Sequence, residues 1–208
     1  MKILTMPQHS PEWWDAKLGL PSASNFHKII TPKGSTSSQA GPYLAELALE
    51  RLKGRREETY QSEDMAQGKL TEPEARRWFE FDENVDVEEV GFVLHDSEKY
   101  GSSPDGLIGR PEGTPTDWIY HRGLEIKCPK ESTQIYYILT NELPAKYIPQ
   151  VQGSMLVTGF EAWWFVSYHR KWPKVKVLVE RDDKYIAKLK VALDDFTAEL
   201  DRVTEELR

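Results

Sequence analysis

The sequence predicts an α/β (α+β) fold in which a central mixed sheet is flanked by helices. Its 208 residues suit one domain with a full hydrophobic core. Segments with a helical spacing of apolar residues lie near both ends of the chain, and short strand-like segments fill the middle. Since no internal repeat divides this order, we expect one domain over residues 1–208.

The first quarter of the chain predicts two helices joined by a loop. Residues 19–25 offer a turn and several N-cap candidates for a short helix through Ile30. The polar run at residues 31–41 predicts a surface loop, either an ordinary connection or a segment that clamps a substrate. Residues 42–53 predict the second helix, because their apolar side chains share one stripe and Gly54 follows as a stop signal.

Residues 62–81 predict a third helix that contains a proline. Pro73 cannot donate a backbone hydrogen bond, so either the helix kinks near Lys69 or a new helix starts at Thr71. Residues 71–74 resemble a capping box, with Thr71 as the N-cap and Glu74 reaching back.

The rest of the chain predicts the sheet and three more helices. The predicted strands are mostly antiparallel and cover residues 85–94, 100–103, 107–108, 124–128, 162–168 and 175–179. Helices are expected at residues 132–140 and 145–158 and from about Asp182 onwards. The last helix carries an apolar stripe that either packs on its own domain or contacts another subunit.

A Glu-x-Lys pair lies on one predicted strand. Because side chains alternate along a strand, Glu125 and Lys127 project from one face. Leu124, Ile126 and Cys128 project from the other face, which predicts simple core packing for the one cysteine of the chain. The first face is therefore free for chemistry and the second is apolar.

Asp105 lies about twenty residues upstream, in a Pro-Asp-Gly turn that can present its carboxylate beside Glu125. Magnesium prefers oxygen ligands and is usually held by one or two protein carboxylates. Lys127 would then lie beside a bound phosphate and orient or deprotonate the attacking water. This arrangement predicts a metal-dependent nuclease, although Asp-Gly turns and Glu-x-Lys pairs also occur in proteins without such a site.

The net charge of −7 argues against a chain that coats nucleic acid through a general positive field. Basic residues still form two local groups, which are either DNA-facing or, for the first group, a solvated helix end. These are Arg51, Lys53, Arg55 and Arg56, followed by Lys127 and Lys130. The five histidines lack zinc spacing, and neither a nucleophile elbow, a Walker loop nor a dinucleotide fingerprint is present.

Several blocks of this sequence, in order, resemble the phage lambda exonuclease and YqaJ-type viral alkaline exonuclease family of PD-(D/E)xK nucleases. The resemblance extends over nearly the whole chain. Its blocks include Ser22-Ala23-Ser24, Gly68-Lys69 with Glu72, Ser103-Pro104-Asp105-Gly106, Leu124-Glu125-Ile126-Lys127-Cys128-Pro129 and Gln150-Val151-Gln152. It implies a restriction-endonuclease-like core and a single exonuclease domain.

The resemblance also implies roles by matched position. Asp105, Glu125 and the backbone carbonyl of Ile126 would be metal ligands, and Glu72 would contribute to the same metal environment. On its own, Glu72 would be taken for a solvated helix residue. Lys127 would act on the nucleophilic water.

Four more residues follow from the same resemblance. Gln150 would line the catalytic site, whereas Gln152 points elsewhere on helical geometry. Ser24, Lys17 and Ser103 would contact DNA or its terminal 5′ phosphate. Lys17 stands where the family pattern has an arginine, and a point charge grips phosphate differently from a planar fork. Lys17 is alternatively an ordinary surface residue.

By this resemblance the protein would digest one strand of linear duplex DNA from its 5′ end into mononucleotides, leaving a 3′ single-stranded overhang. Two Mg²⁺ ions, or Mn²⁺, would serve each site. The expected partners are DNA, two further copies in a homotrimeric ring and a single-strand annealing protein. We expect no membrane association and a cytoplasmic location in the bacterial host of a phage or prophage. The alternatives are an endonuclease of the same fold and a non-catalytic DNA-binding subunit.

Overall fold

The computed structural model describes residues 1–56, 63–111 and 118–208. Within these ranges the strands are β1 (Lys2–Leu4), β2 (Asp86–Glu88), β3 (Phe92–Leu94), β4 (Gly101–Ser102), β5 (Gly106–Pro111), β6 (Trp118–Lys127), β7 (Ala162–Ser167) and β8 (Val175–Glu180). The α-helices are α1 (Pro11–Lys17), α2 (Ala40–Lys53), α3 (Glu63–Glu83), α4 (Glu131–Thr140), α5 (Ile148–Thr158) and α6 (Asp183–Glu206). Short 3-10 helices cover Ala23–Lys28 and Ala145–Tyr147.

The larger sheet has the strand order β2-β5-β6-β7-β8, and the smaller one has the order β1-β3-β4. Neighbouring strands are antiparallel except for the parallel pair β6 and β7. A parallel pair needs a long crossover, and α4 and α5 provide it. The predicted mixed sheet with flanking helices is therefore confirmed.

Helices cover both faces of the larger sheet. On one face, Trp163 and Phe165 of β7 belong to clusters that include residues of α5, α6 and α4. On the other face, Leu124 and Ile126 of β6 pack with Ala75 and Phe79 of α3. Side chains on the opposite faces of β6 and β7 thus pack into separate hydrophobic clusters, as expected from alternation along a strand.

Cys128 packs against the α3 cluster and is half-buried. Burial raises the pKa of its thiol to about 12, so it stays protonated at neutral pH. Its predicted packing role is confirmed.

The α3 helix runs through Pro73 without a new start at Thr71. The predicted capping box is therefore wrong. The Glu74 carboxylate has partners outside α3, because its two oxygens accept hydrogen bonds from the Tyr168 hydroxyl (2.6 Å) and the Arg170 guanidinium (2.6 Å). Packing of α3 on the sheet outweighs the local capping signal.

The structure differs from the sequence prediction in other elements as well. The predicted strand at residues 85–94 divides into β2 and β3, which belong to different sheets. The elements β1 and α1 are absent from the prediction, because three and seven residues are too short for a periodic signal. The short helix before Ile30 is a 3-10 helix.

The apolar stripe of α6 packs within its own domain. Leu189, Leu193 and Leu200 are fully buried, and the Phe196 ring stacks on Tyr43 of α2 with ring centroids 5.7 Å apart. The first of the two alternatives for this helix is confirmed, although its last apolar residue, Leu207, is exposed. Within the described ranges, no helix combines the length and apolar character needed to span a bilayer.

Gly123 allows β6 to approach β7 closely. A Cβ atom at Gly123 would lie 2.2 Å from the indole ring of Trp163, its cross-strand neighbour. We expect Gly123→Ala to lower the free energy of unfolding by about 1–3 kcal/mol, as overpacking does in a dense core. A Cβ atom at Gly41 in α2 meets nothing within 4 Å. Urea unfolding should therefore show Gly41→Ala unchanged or slightly more stable, and equal stabilities for the two variants would contradict the close contact.

Candidate active site

The turn before β5 brings Asp105 against the end of β6. The Asp105 backbone N–H donates to the Leu124 carbonyl (3.0 Å), and its carboxylate accepts from the Ile126 backbone N–H (2.6 Å). The antiparallel register pairs Gly106 with Leu124, which fixes this approach. Asp105 and Glu125 therefore meet at one end of the sheet, as the turn and the strand spacing predict.

Glu125 and Lys127 share the face of β6 that looks towards α5. The Lys127 ammonium contacts Glu125 Oε1, and the Gln150 side-chain amide of α5 donates to the same oxygen (2.6 Å). The Glu125 side chain is 2% exposed and that of Lys127 is 29% exposed. Gln152 turns away, as predicted, and bonds the backbone at Glu180 and Asp182.

Glu72 approaches from α3. Its carboxylate accepts from the guanidinium of Arg76 one turn later (3.0 Å). Arg76 also donates to the backbone carbonyl of Asp105 (2.8 Å) and pairs with Glu89 (2.5 Å). Arg76 thus ties α3 to the turn that carries Asp105, and it is itself 7% exposed.

Burial raises the pKa of all three carboxyl groups, and neighbouring carboxylates add to the shift at Glu125 and Glu72. Burial raises the pKa of Glu125 to about 7, and Asp105 and Glu72 add to this shift against the opposing charge of Lys127. Burial and then the charge of Asp105 raise the pKa of Glu72 to about 7. Burial likewise raises the pKa of Asp105. A divalent cation would relieve this repulsion.

Burial alone would lower the pKa of Lys127, but the neighbouring carboxylates Glu125 and Asp105 outweigh it and raise the pKa above its usual value. The lysine is therefore an ammonium at neutral pH. It can donate hydrogen bonds and offset negative charge.

The atoms that could ligate a metal at this site are carboxylate and amide oxygens, a set that suits Mg²⁺ or Mn²⁺. In the part of the chain that the structure describes, no three His, Cys, Asp or Glu side chains already form a metal-holding group. The Asp105 carboxylate is held by the Ile126 N–H, and Glu125 is held by Lys127 and Gln150. The residue types and charges fit a hard cation. Its binding would require the Ile126 N–H, Lys127 and Gln150 to release the carboxylate oxygens that they now contact.

A cavity of about 410 Å³ opens beside the carboxylates. Its lining includes Glu72, Arg76 and Asp105 together with Gln8 of the N-terminal segment. The Gln8 side chain donates to the carbonyl of Pro104 (2.8 Å) and so holds the turn that presents Asp105.

The residues expected at a terminal phosphate form a second, adjoining group. Lys17 is 9% exposed, and its ammonium lies 3.8 Å from the ring centroid of Trp13. The same indole donates to the Ser103 hydroxyl (3.2 Å), two residues before Asp105. Ser24 is exposed, and its hydroxyl lies 3.3 Å from that of Ser22.

Lys17 is therefore not an ordinary surface residue, and that alternative is wrong. Burial, aided by the charge of Arg56 and opposed by Glu50, lowers the pKa of Lys17 to about 7. Lys17, Ser22 and Arg56 line one narrow cavity.

Two arginines of the basic group at the end of α2 have structural partners. Arg51 donates to the Gly19 carbonyl (2.8 Å) and pairs with Asp201 (2.7 Å), and Arg56 pairs with Glu50 (2.9 Å). Their contacts join α2 to neighbouring elements. Neither arginine is simply part of a solvated helix end.

Residues 12–161 match the model of the YqaJ-like viral recombinase domain. This chain belongs to that family. The match covers every carboxylate of the site and Lys127.

This chain also resembles solved structures. The alkaline exonuclease LHK-Exo of Laribacter hongkongensis is 32% identical, with a TM-score of 0.83 over 95% of this chain and 96% of that one. A structure of LHK-Exo in complex with dAMP gives a TM-score of 0.82. A phage-related exonuclease from Haemophilus somnus shares the fold at 16% identity, with a TM-score of 0.63 over 91% of this chain and 96% of that one.

The Escherichia coli K12 protein ExoD is 32% identical over 71 residues, which are 31% of this chain and 78% of that protein. The family and the fold together show that this chain is a nuclease of the PD-(D/E)xK type.

Sequence reasoning gave no role to two residues of the site, Arg76 and Gln8. The position of Arg76 four residues after Glu72 was a usable signal, since such pairs meet on a helix. The sequence carries no such signal for Gln8, because its hydrogen-bond partners, Val90 and Pro104, lie about ninety residues away in the chain.

Proposed function

We propose that this protein is a Mg²⁺-dependent 5′-to-3′ exonuclease that digests one strand of linear duplex DNA into mononucleotides. The observation that carries the proposal is the meeting of Asp105, Glu125 and Lys127 at one end of the sheet. The alkaline exonuclease LHK-Exo, alike over nearly its whole length, supports an exonuclease. Its complex with dAMP supports mononucleotide release, since dAMP is a nucleoside monophosphate.

Each residue has a task in this proposal. Asp105, Glu125 and the Ile126 carbonyl would hold the cation, with Glu72 beside them. Bound Mg²⁺ or Mn²⁺, at two ions per site, would supply the activation of water and the stabilisation of the leaving 3′ oxygen.

The side chains around the cation would then handle the substrate. Lys127 orients the attacking water and offsets charge on the phosphate. Gln150 holds the Glu125 carboxylate in place. The cavity beside Asp105 is within the usual size range of small-ligand sites and would take the terminal nucleotide.

Lys17, Ser24 and Ser103 would bind the terminal 5′ phosphate. Support for Lys17 and Ser103 comes from the Trp13 indole, which contacts both of them, and Ser103 lies two residues before Asp105. Lysine at position 17 offers a single charged point where arginine would offer two parallel donors. We therefore expect a weaker preference for a 5′ phosphate than an arginine would give.

The assembly and setting belong to the same proposal. A ring of three subunits around DNA would keep the enzyme on its substrate despite the acidic net charge of −7. A single-strand annealing protein would take up the 3′ overhang in the cytoplasm of a bacterial host. These points rest on the family resemblance, and sedimentation equilibrium of the purified protein tests the subunit number.

Digestion of end-labelled duplex tests the activity. Linear duplex labelled at either end, with and without a 5′ phosphate, is compared with covalently closed circular duplex of the same sequence, each with and without EDTA. We expect mononucleotides from the 5′ end of linear DNA only, and no product with EDTA. Cutting of the closed circle would favour an endonuclease of this fold, and binding without any product would favour a non-catalytic subunit.

The rate should rise with pH when Mg²⁺ is limiting. Because the pKa values of Glu72 and Glu125 are both raised to about 7, these groups carry protons below that pH and hold a cation poorly. We expect the half-saturating Mg²⁺ concentration to fall at least about tenfold between about pH 6 and pH 8. Initial rates across a series of Mg²⁺ concentrations at each pH measure the half-saturating concentration. A half-saturating concentration that does not change with pH would contradict the raised pKa values of Glu72 and Glu125.

A further inference from the structure

The start of α5 contacts both members of the Glu-x-Lys pair. Gln150 donates to Glu125 Oε1 at 2.6 Å. Three residues earlier, at the N-cap of the helix, the Tyr147 ring lies with its centroid 5.3 Å from the Lys127 ammonium nitrogen. Residues three apart share one face of a helix, so one helical turn presents an amide to the acid and an aromatic ring to the base.

The Lys127 ammonium therefore has two described partners, the Glu125 oxygen and the Tyr147 ring. The first partner cannot serve throughout the proposed reaction, since the same carboxylate is needed by a divalent cation. An ammonium that leaves Glu125 stays partly desolvated, because the Lys127 side chain is only 29% exposed. Without a second partner it would remain on Glu125 and compete with the cation.

Tyr147 is well placed to be that second partner because its ring is held in position. The ring is half-buried and packs against Phe165 with centroids 5.4 Å apart. It belongs to an apolar cluster with Tyr137 and Val175. The negative face of an aromatic ring attracts an ammonium within about 6 Å, and a fixed ring does so without losing side-chain freedom.

We propose that Tyr147 is a positioning residue that receives the Lys127 ammonium when a divalent cation takes the Glu125 oxygen. The ring keeps the ammonium beside the carboxylates and away from the cation's ligand. This inference rests on the proposed nuclease function, but it makes a separate statement about cation affinity that requires no DNA.

The test uses ring variants and two readouts. Tyr147→Phe keeps the ring, Tyr147→Leu removes it, and pentafluorophenylalanine in place of Tyr147 keeps the ring's shape while reversing the charge of its face. Mg²⁺ binding to the DNA-free protein is measured by calorimetry, and kcat and KM are measured on linear duplex. Lys190→Ala is the control, because Lys190 is an exposed lysine on α6 that pairs with Asp194.

We expect Tyr147→Phe and Lys190→Ala to stay within about twofold of the parent in both readouts. Tyr147→Leu and the fluorinated ring should weaken Mg²⁺ binding about fivefold and lower kcat about tenfold, with KM for DNA unchanged. In a Lys127→Ala background, Tyr147→Leu should no longer change Mg²⁺ binding, because no ammonium competes for Glu125.

Two outcomes would overturn the inference. One is unchanged Mg²⁺ binding in the fluorinated variant, which keeps the fold's packing and so separates charge from shape. The other is an equal effect of Tyr147→Leu with and without Lys127. If instead the parent protein binds Mg²⁺ but digests no DNA, the proposed function fails. The calorimetric measurement of Mg²⁺ binding would still decide the role of Tyr147.

Discussion

Asp105→Asn is expected to lower the rate of Mg²⁺-dependent digestion by about a thousandfold or more, because it removes a charged ligand from the cation site. Asparagine keeps an oxygen that can accept the hydrogen bond from the Ile126 N–H, so the turn before β5 should keep its shape. The change removes a charge and little else. Burial raises the pKa of Asp105, and loss of its charge should leave the folded state equally stable or more stable.

Single-turnover rates on linear duplex and thermal unfolding of the same samples measure the two effects. Asp195→Asn, an exposed change on α6, is the matched control and should alter neither. A loss of activity accompanied by a large loss of stability would point to a structural role for Asp105. A rate within tenfold of the parent would remove Asp105 from the site.

Arg76→Ala is expected to destabilise the protein by about 3 kcal/mol and to impair digestion by about a hundredfold or more. The buried Arg76 guanidinium pairs with Glu72 and Glu89 and donates to the Asp105 carbonyl, so its loss leaves the half-buried Glu72 carboxylate and that carbonyl without this donor. Arg77→Ala is a close control, since the next residue of α3 is exposed and donates to the Pro73 carbonyl of its own helix. Arg77→Ala should change stability by less than about 0.5 kcal/mol.

The stability deficit of Arg76→Ala should depend on pH. The pKa of Glu72 is already raised to about 7, and Arg76 is a charge that lowers it, so the variant raises it further. A carboxyl whose pKa is higher in the folded state binds extra protons there, and the folded state loses stability as pH rises through that pKa. In EDTA, the deficit measured by urea unfolding should be larger at about pH 8 than at about pH 5. A deficit independent of pH would mean that Arg76 acts through packing alone.

Much of the site could be predicted because it depends on local geometry. Alternation along a strand placed Glu125 and Lys127 on one face, and helical spacing separated Gln150 from Gln152. The Pro-Asp-Gly turn put Asp105 at a strand end. Each of these rules involves only a few consecutive residues, which a sequence displays directly.

The remaining features depend on contacts distant in the chain. Glu74 does not start a new helix with Thr71; its carboxylate instead accepts hydrogen bonds from Tyr168 and Arg170, which lie about ninety-five residues away in the chain. Lys17 is buried by Trp13 and by residues from α2, which no local pattern indicates. The division of residues 85–94 between two sheets likewise follows from pairing with β1 and β5.

The most direct test is anomalous diffraction from crystals of this protein soaked in Mn²⁺ near pH 8, collected at the manganese edge. Our account predicts manganese bound by the carboxylates of Asp105 and Glu125 and by the Ile126 carbonyl, with Lys127 no longer on Glu125. Manganese elsewhere, or an unchanged contact between Lys127 and Glu125 beside an empty cluster, would contradict it.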